Sequence, residues 1–476
     1  MASHAETRRS LRYSPQDLLQ FLQSDFATWM DRASLEQPGR FPVRPEPDEM
    51  VRVLTQLGNG HEQRYLQQLL SDGAQVFQVE NRGTFEATAA AMVEGKSWIY
   101  QAALRYGDWV GYADLLRRVE VPSQLGDWSY IPVECKLALE PKPYFVIQLC
   151  AYCDLLEQLQ GLRPGTFELV LGTGQRRAFR TEDYFHYYRQ VRRSFLAAME
   201  QFDPQQQPMP LAGDHGDWQG VAEQLLEAAD HLSQVANISL KQIQRLEAAG
   251  ISTMAALAAA EPGMKVTKLD REVFGRLRLQ AKLQRESRGQ AKPLYALLPQ
   301  PEGRDRYGLT LLPPASPLDV FFDMEGYPLA EGGAGLEYLF GATYGSAGEL
   351  QFKDWWAHNP AQEKKAFEDF IDWTYARWVA DPTMHIYHYA PYETSALKRL
   401  ASRYGTREEQ LDNLLRGHVF VDLYQVVRQG LCVGEPSYSI KNLEHLYWKK
   451  REGDVVNAQG FSGAIFPVDA VREGQS

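Results

Sequence analysis

Apolar and polar residues follow two rhythms along this chain, and the places where one gives way to the other divide it. From Ser14 the run SPQDLLQFLQSDFATWMDR sets apolar residues at helical spacing behind a capping Ser and a Pro at the first helical position, which predicts a helix. A Pro-rich break, FPVRPEPDEM, leads to a second helical run, HEQRYLQQLL, entered through the GNG of residues 58–60 and beginning at His61. Between residues 73 and 136 the rhythm becomes β-like in QVFQVE, SWIYQAALRYG, WVGYADLLRRV and YIPVECKLA, with Asp114 at the end of a strand. Helical spacing returns from about Phe145 to Leu159.

A polar, Pro-rich stretch, FDPQQQPMPLAGDHGDWQG at 202–220, reads as a linker. Beyond it SLKQIQRLEAAGISTMAALAAAEPG has the layout of a helix-hairpin-helix turning at Gly250, next to the basic run KVTKLDREVFGRLRLQAKLQRESRGQAK. Backbone N–H groups at such a turn can meet phosphate without reading bases, and plain packing is the other reading. A second linker, AKPLYALLPQPEGRD, precedes the apolar strand DVFFDMEG at 319–326. The expected division is an α/β domain at 10–203, a helical connector at 204–300 and a third domain at 312–476.

Length and charge narrow the picture. A chain of 476 residues exceeds one hydrophobic core, so two or three domains are expected. Its net charge of −11 argues against coating nucleic acid through bulk positive charge, but leaves room for an enzyme whose metal ligands are carboxylates. The opening MASHAETRRSLRYS lacks a signal-peptide core and no apolar run is long enough to span a membrane, so a cytoplasmic protein with no membrane partner is expected. Four cysteines, Cys135, Cys150, Cys153 and Cys432, are too few and too uneven for a disulfide framework. Cys150 and Cys153 fall within a helix without a second pair to complete a zinc site, and are read as core.

Candidate chemistry gathers in two places. Glu134 and Lys136 flank Cys135 on one strand and share a face, because side chains alternate along a strand. With Asp114 they supply two carboxylates able to hold Mg²⁺ or Mn²⁺ and a lysine able to orient water or steady charge on a phosphate. Gln148 and Tyr152 are four apart on the next helix and share a face, while His61 offers a nitrogen ligand. The plain alternative is a solvated strand face, a helix surface and a cap.

GNGHE, GYADLLRRV, VECK and QLCAYCDLL, in that order, resemble the RecB-type branch of the PD-(D/E)XK nucleases over residues 10 to 200. The resemblance implies a restriction-endonuclease-like fold with His61, Asp114 and Glu134 on metal, Lys136 assisting the water, and Gln148 and Tyr152 supporting the site. Some relatives carry an iron-sulfur cluster near the end of this domain; residues 205 to 235 have no cysteine, so none is expected.

In the third domain Asp323 and Glu325 are two apart on an apolar strand, Glu393 sits near a helix start in MHIYHYAPYETSALKRL, and Asp422 ends a strand in VFVDLYQVVRQGL. With SYSIKNLE following, this order resembles the YprB-type ribonuclease H-like domains, relatives of the DEDD 3′-to-5′ exonucleases, over 315 to 452. The resemblance matches Asp323, Glu325 and Glu393 to metal ligands and Asp422 to a position that is usually not one. A last Asp, expected in a later helix, has no match in REGDVVNAQGFSGAIFPVDAVREGQS, where Asp469 sits in loop-like text. Two readings follow: an inactive domain, or a chain that is a piece of a longer protein. Relatives with this domain order often continue into a superfamily 1 helicase, so a helicase, in trans or in a longer form of the chain, is an expected partner besides DNA.

The combined expectation is a metal-dependent DNA nuclease, exonuclease rather than endonuclease, in repair, recombination or defence. The alternatives are a non-catalytic nucleic-acid-binding or scaffold subunit that keeps nuclease folds, and a metal-dependent enzyme acting on nucleotides.

Overall fold

The computed structural model describes residues 12–46, 49–79, 84–211, 213–327, 335–345 and 349–447. The chain divides into two compact units, Met1–Leu225 and Leu226–Ser476. No helix among the described residues is long and apolar enough to cross a membrane.

In the first unit the helix expected from Ser14 is two. Asp17 accepts the Ser14 N–H at 2.6 Å to open α1 (Pro15–Gln23), and Ser24, extended at φ −157°, ends α1 and caps α2 (Asp25–Glu36) by accepting the Ala27 N–H at 2.9 Å. The GNG is no helix entry either: α3 (Glu49–Ser71) runs through Gly58 and Gly60 and leaves His61 in mid-helix. An interior Gly costs a helix about 1 kcal/mol against Ala. Burial of Tyr65, Leu66 and Leu69 on one stripe of α3 outweighs that, at roughly 1.5–3 kcal/mol for each large apolar side chain.

Next come β1 (Val76–Gln78), α4 (Phe85–Val93), β2 (Trp98–Tyr106), β3 (Trp109–Val119) and β4 (Ser129–Cys135). Helix α4, capped by Thr84, stands where only strands are expected, and Asp114 lies in the middle of β3 instead of at its end. After α5 (Pro143–Gln160) follow β5 (Thr166–Val170), β6 (Arg176–Arg180) and α6 (Glu182–Glu200). The six strands form one mixed sheet in sequence order, parallel at β1–β2 and β4–β5 and antiparallel elsewhere. Leu149, Tyr152 and Leu156 of α5 pack on Ala102, Leu104 and Ala113 on one face, and the α3 stripe packs with Trp98, Leu115 and Val133 on the other. Covered on both sides, the central strands read as apolar runs.

Part of the linker expected at 202–220 is fastened down. Trp218, 1% exposed, donates to Asp31 at 2.7 Å and packs with Phe26, Trp29 and Met30, while His215 Nδ1 pairs with Ser24 Oγ at 2.7 Å. One buried indole outweighs the polar composition around it.

After α7 (Gln219–Ala228), the second unit opens with α8 (Leu240–Ala248) and α9 (Met254–Ala259), turning at Gly250 with φ +83°, a left-handed value that favours glycine. Helix α10 (Arg271–Ser287) follows, and then β7 (Tyr295–Leu297) stands inside the second expected linker. The remaining elements are β8 (Val320–Tyr327), β9 (Leu336–Tyr344), β10 (Gln351–Trp356), α11 (Pro360–Ala380), β11 (Ile386–His388), α12 (Tyr392–Tyr404), α13 (Glu408–Arg416), β12 (Phe420–Asp422), α14 (Leu423–Gly430), β13 (Leu431–Val433) and α15 (Ile440–Leu443). Their main sheet has the order β10-β9-β8-β11-β12, antiparallel through β8 and parallel beyond it. Its core joins Phe322, Met324 and Phe340 to Phe367 and Phe370 of α11 and Leu397 and Leu400 of α12. Strand β7 pairs with β13, and buried Gln280 of α10 donates to the Val433 carbonyl at 2.7 Å and accepts the Tyr438 hydroxyl at 2.7 Å.

A Cβ at Gly111 would lie 2.9 Å from the Tyr152 ring and 3.1 Å from Leu155, whereas Gly165 has open space. Gly111→Ala is therefore expected to destabilise the chain by about 1–3 kcal/mol in urea unfolding. Gly165→Ala should stay within about 0.5 kcal/mol of wild type.

Candidate active site

Strands β3 and β4 are hydrogen-bonded from Val119/Ser129 to Leu115/Val133, and the ladder stops there. The next pair in register is Asp114 and Glu134. Their side chains fill the opened fork: Asp114 Oδ2 accepts the Cys135 N–H at 2.7 Å, and Glu134 Oε2 lies 3.5 Å from the Asp114 nitrogen. Past the fork β4 runs beside β5, where Lys136 N–H donates to the Val170 carbonyl at 2.8 Å. Lys136 Nζ reaches Glu134 Oε1 at 3.0 Å, and Gln148 Nε2 reaches the same oxygen at 2.8 Å. Gln148 also donates to Tyr152, whose hydroxyl donates to the Tyr112 carbonyl at 2.8 Å, so helix α5 braces the carboxylate through two side chains.

Five of the six residues singled out for this domain thus meet. His61 joins them only indirectly, its Nε2 3.3 Å from the Val170 carbonyl that also accepts the Lys136 N–H. Its neighbour Glu62 is the acid that turns towards the fork. Glu62 Oε1 takes Gln101 Nε2 at 3.2 Å, and Gln101 sits across from Asp114 between the paired rows Tyr100/Leu115 and Ala102/Ala113. Gln101 has φ +53° inside a strand, a strained value for this residue type. Sequence reasoning missed Glu62, although it shares the stripe of Tyr65, Leu66 and Leu69 and is only 9% exposed. An acid at a core position of an amphipathic helix was the available signal.

Burial, then the charges of Glu134 and Glu62, push the Asp114 carboxyl well above its ordinary range despite Lys136. Burial works against the Lys136 ammonium, but Glu134 and Asp114 outweigh it and hold its pKa above the usual lysine value.

In the second unit, the alternation of β8 puts Phe322 and Met324 in the core and Asp323 and Glu325 on the opposite face. Glu393, 4% exposed at the start of α12, faces Asp323; its Oε2 accepts no hydrogen bond and lies 3.4 Å from His388 Nδ1, which is directed to the Ala390 carbonyl at 2.7 Å. Burial and the Glu393 charge raise the pKa of Asp323, and burial and the Asp323 charge raise that of Glu325, with Lys441 opposing. Asp422 has a structural role: it caps α14 through the Tyr424 N–H and takes the Ala390 N–H, each at 2.9 Å, where Ala390 has φ +68°. Asp469 and the segment expected to hold a last Asp lie outside the described residues.

Residues 320–462 match a family model of the RNase_H superfamily, RNase_H_2. The RNase H-like domain therefore contains the Asp323–Glu393 pair, and the match supports a nuclease-type activity. A comparison with curated proteins finds no match. RNase H-like nucleases generally use divalent metal ions, and the residues present fit such an ion in kind: hard carboxylate oxygens, one of them buried without a hydrogen bond. Among the described residues no three His, Cys, Asp or Glu side chains are grouped closely enough to hold an ion as they stand. All four cysteines are free, Cys150, Cys153 and Cys432 of them buried.

A carboxyl whose pKa is raised by folding stabilises the fold at pH below its unfolded value, and that contribution is lost as pH rises through the folded value. Asp323→Asn, tested without metal, should therefore raise Tm relative to wild type at pH 8, with the gain shrinking as pH falls towards the ordinary carboxylate range. Added Mn²⁺ should raise Tm of the wild type by more than that of the variant, which keeps only the carboxylates at the fork. A variant less stable than wild type at pH 8 would contradict this account of the pair.

Proposed function

We propose that the chain is a metal-dependent nuclease that cuts DNA phosphodiester bonds, with its principal cutting centre at the β3–β4 fork and a RecB-type PD-(D/E)XK fold around it. The observation that carries this reading is the meeting of Asp114, Glu134, Lys136 and Gln148 where the backbone ladder opens. A structural ion pair would need no second carboxylate opposite it, and no strand would give up ladder bonds to place one.

Asp114 and Glu134 would hold Mg²⁺ or Mn²⁺, with Glu62 close behind. When bound, such an ion neutralises charge on the phosphate and lowers the pKa of water. Lys136, held protonated by the two carboxylates, can orient the attacking water and donate to a phosphate oxygen as negative charge builds there. Gln148 and Tyr152 keep the Glu134 carboxylate in one orientation, which spares the site that reorganisation during reaction. Exonuclease action in repair, recombination or defence, in company with a helicase, is the biological setting this reading favours.

A second reading has one observation behind it. In the RNase H-like domain Asp323 meets Glu393 with Glu325 close by, the sequence offers no match for the last acid of such a site, and a domain without that acid would bind nucleic acid without cutting it.

Cleavage of end-labelled single- and double-stranded DNA in Mg²⁺ or Mn²⁺ separates the two. Lys136→Ala should lower the rate by at least about 100-fold, the scale for losing a transition-state donor, while Asp323→Ala should leave most of it. Loss only in Asp323→Ala would move catalysis to the RNase H-like domain. Wild-type protein that cuts neither DNA nor RNA would leave the binding role.

A further inference from the structure

Two exposed tyrosines flank the fork. Tyr112 is 48% exposed and lies two residues before Asp114 on β3, beyond the end of the β3–β4 ladder. The backbone carbonyl of Tyr112 takes the Tyr152 hydroxyl, which ties this position through Gln148 to Glu134. The Tyr112 ring stands 6.4 Å from Phe85, and the exposed Arg105 guanidinium lies 5.6 Å from the centre of the Phe85 ring.

Tyr144, 44% exposed, lies one helical turn before Gln148 on α5. It meets Phe145 edge to face at 4.5 Å, and the exposed Lys142 places Nζ 5.8 Å from the Tyr144 ring centre. Lys136 Nζ in turn sits 5.4 Å from the centre of the Phe145 ring. Each side of the fork thus carries one exposed tyrosine, with a cation over its neighbour Phe85 on one side and over Tyr144 itself on the other, in a chain whose net charge is −11.

We propose that Tyr112 with Arg105, and Tyr144 with Lys142, are two clamps that hold a single nucleic-acid strand across the fork. Bases stack on the two rings and backbone phosphates face the two cations. The proposal rests on reading the fork as a nuclease centre, and it names the strand state that centre takes. An exposed ring offers its face to any base, but bases inside a duplex are already stacked on their neighbours, so the clamps favour unpaired strand over duplex. Cations beside the rings add attraction for phosphate that weakens with salt. Both tyrosines are positioning residues and neither touches the reacting atoms.

The test measures fluorescence anisotropy of a labelled single strand and of the matching blunt duplex with the full chain in EDTA, where nothing is cut. Wild type should bind the single strand more tightly than the duplex. Tyr112→Ala and Tyr144→Ala should each weaken single-strand binding by about 5- to 100-fold, the range for one lost stacking contact. Tyr112→Phe and Tyr144→Phe keep the ring and should bind like wild type, which separates stacking from a folding defect. Tighter binding to duplex, no binding of either, or Ala variants that bind as wild type does would overturn the clamps. Cleavage in Mn²⁺ is read separately on the same chains. Ring-dependent binding without any cleavage would keep the clamps and remove the nuclease reading, whereas Lys136-dependent cleavage with binding and KM unmoved in both Ala variants would do the reverse.

Discussion

Between Leu115 and Asp114 the ladder joining β3 to β4 stops, and the chemistry of the first unit is arranged around that stop. Backbone N–H groups freed inside a protein must find acceptors, because a buried unpaired donor costs about 1–3 kcal/mol. Here the acceptor for the Cys135 N–H is the Asp114 carboxylate itself. The side chain that could hold a metal therefore also closes the backbone, which fixes its position more tightly than packing alone would. On its other edge β4 pairs in parallel with β5 from Val133 onward, and that pairing continues past the opening and carries Lys136 to the mouth of the fork.

Asp114 and Asp323 both sit where folding opposes their charge. Asp114 is drawn from water beside the Glu134 charge, and Asp323 beside that of Glu393. The fold carries that cost in a region otherwise built for stability, since large apolar side chains cover both faces of the first sheet. Strain at Gln101, left-handed within a strand and opposite Asp114, belongs to the same pattern. Conflicts between local preference and overall fold cluster at sites that do something besides fold.

Much of this was legible from residue spacing. The period of two in VECK put Glu134 and Lys136 on one face, and the four-residue step from Gln148 to Tyr152 put both on one side of α5, because those periods are properties of the backbone. Spacing could not reveal where a ladder ends, so the fork itself was invisible. Gly58 and Gly60 misled because glycine cost is local and small, while burial of Leu66 and Leu69 is a tertiary gain. That error placed His61 at a helix start and drew attention from Glu62, one position on and facing inward. Trp218 was likewise hidden by the polar text around it. In the RNase H-like domain the D-x-E strand and the helix bearing Glu393 lie as their patterns suggested, yet a Glu393 oxygen buried without a hydrogen bond could come only from coordinates.

The pairing of β7 with β13 has a bearing on how this protein can be taken apart. The RNase H-like sheet is threaded between two strands that close on each other, one contributed from before the sheet and one from after α14. A piece cut to begin at residue 312 would lose β7 and α10 together. It would leave β13 with an unpaired edge and Val433 without the Gln280 amide. Such an edge invites pairing with other chains, so a fragment trimmed to the sheet would tend to aggregate, and the natural place to begin an excised piece is ahead of α8.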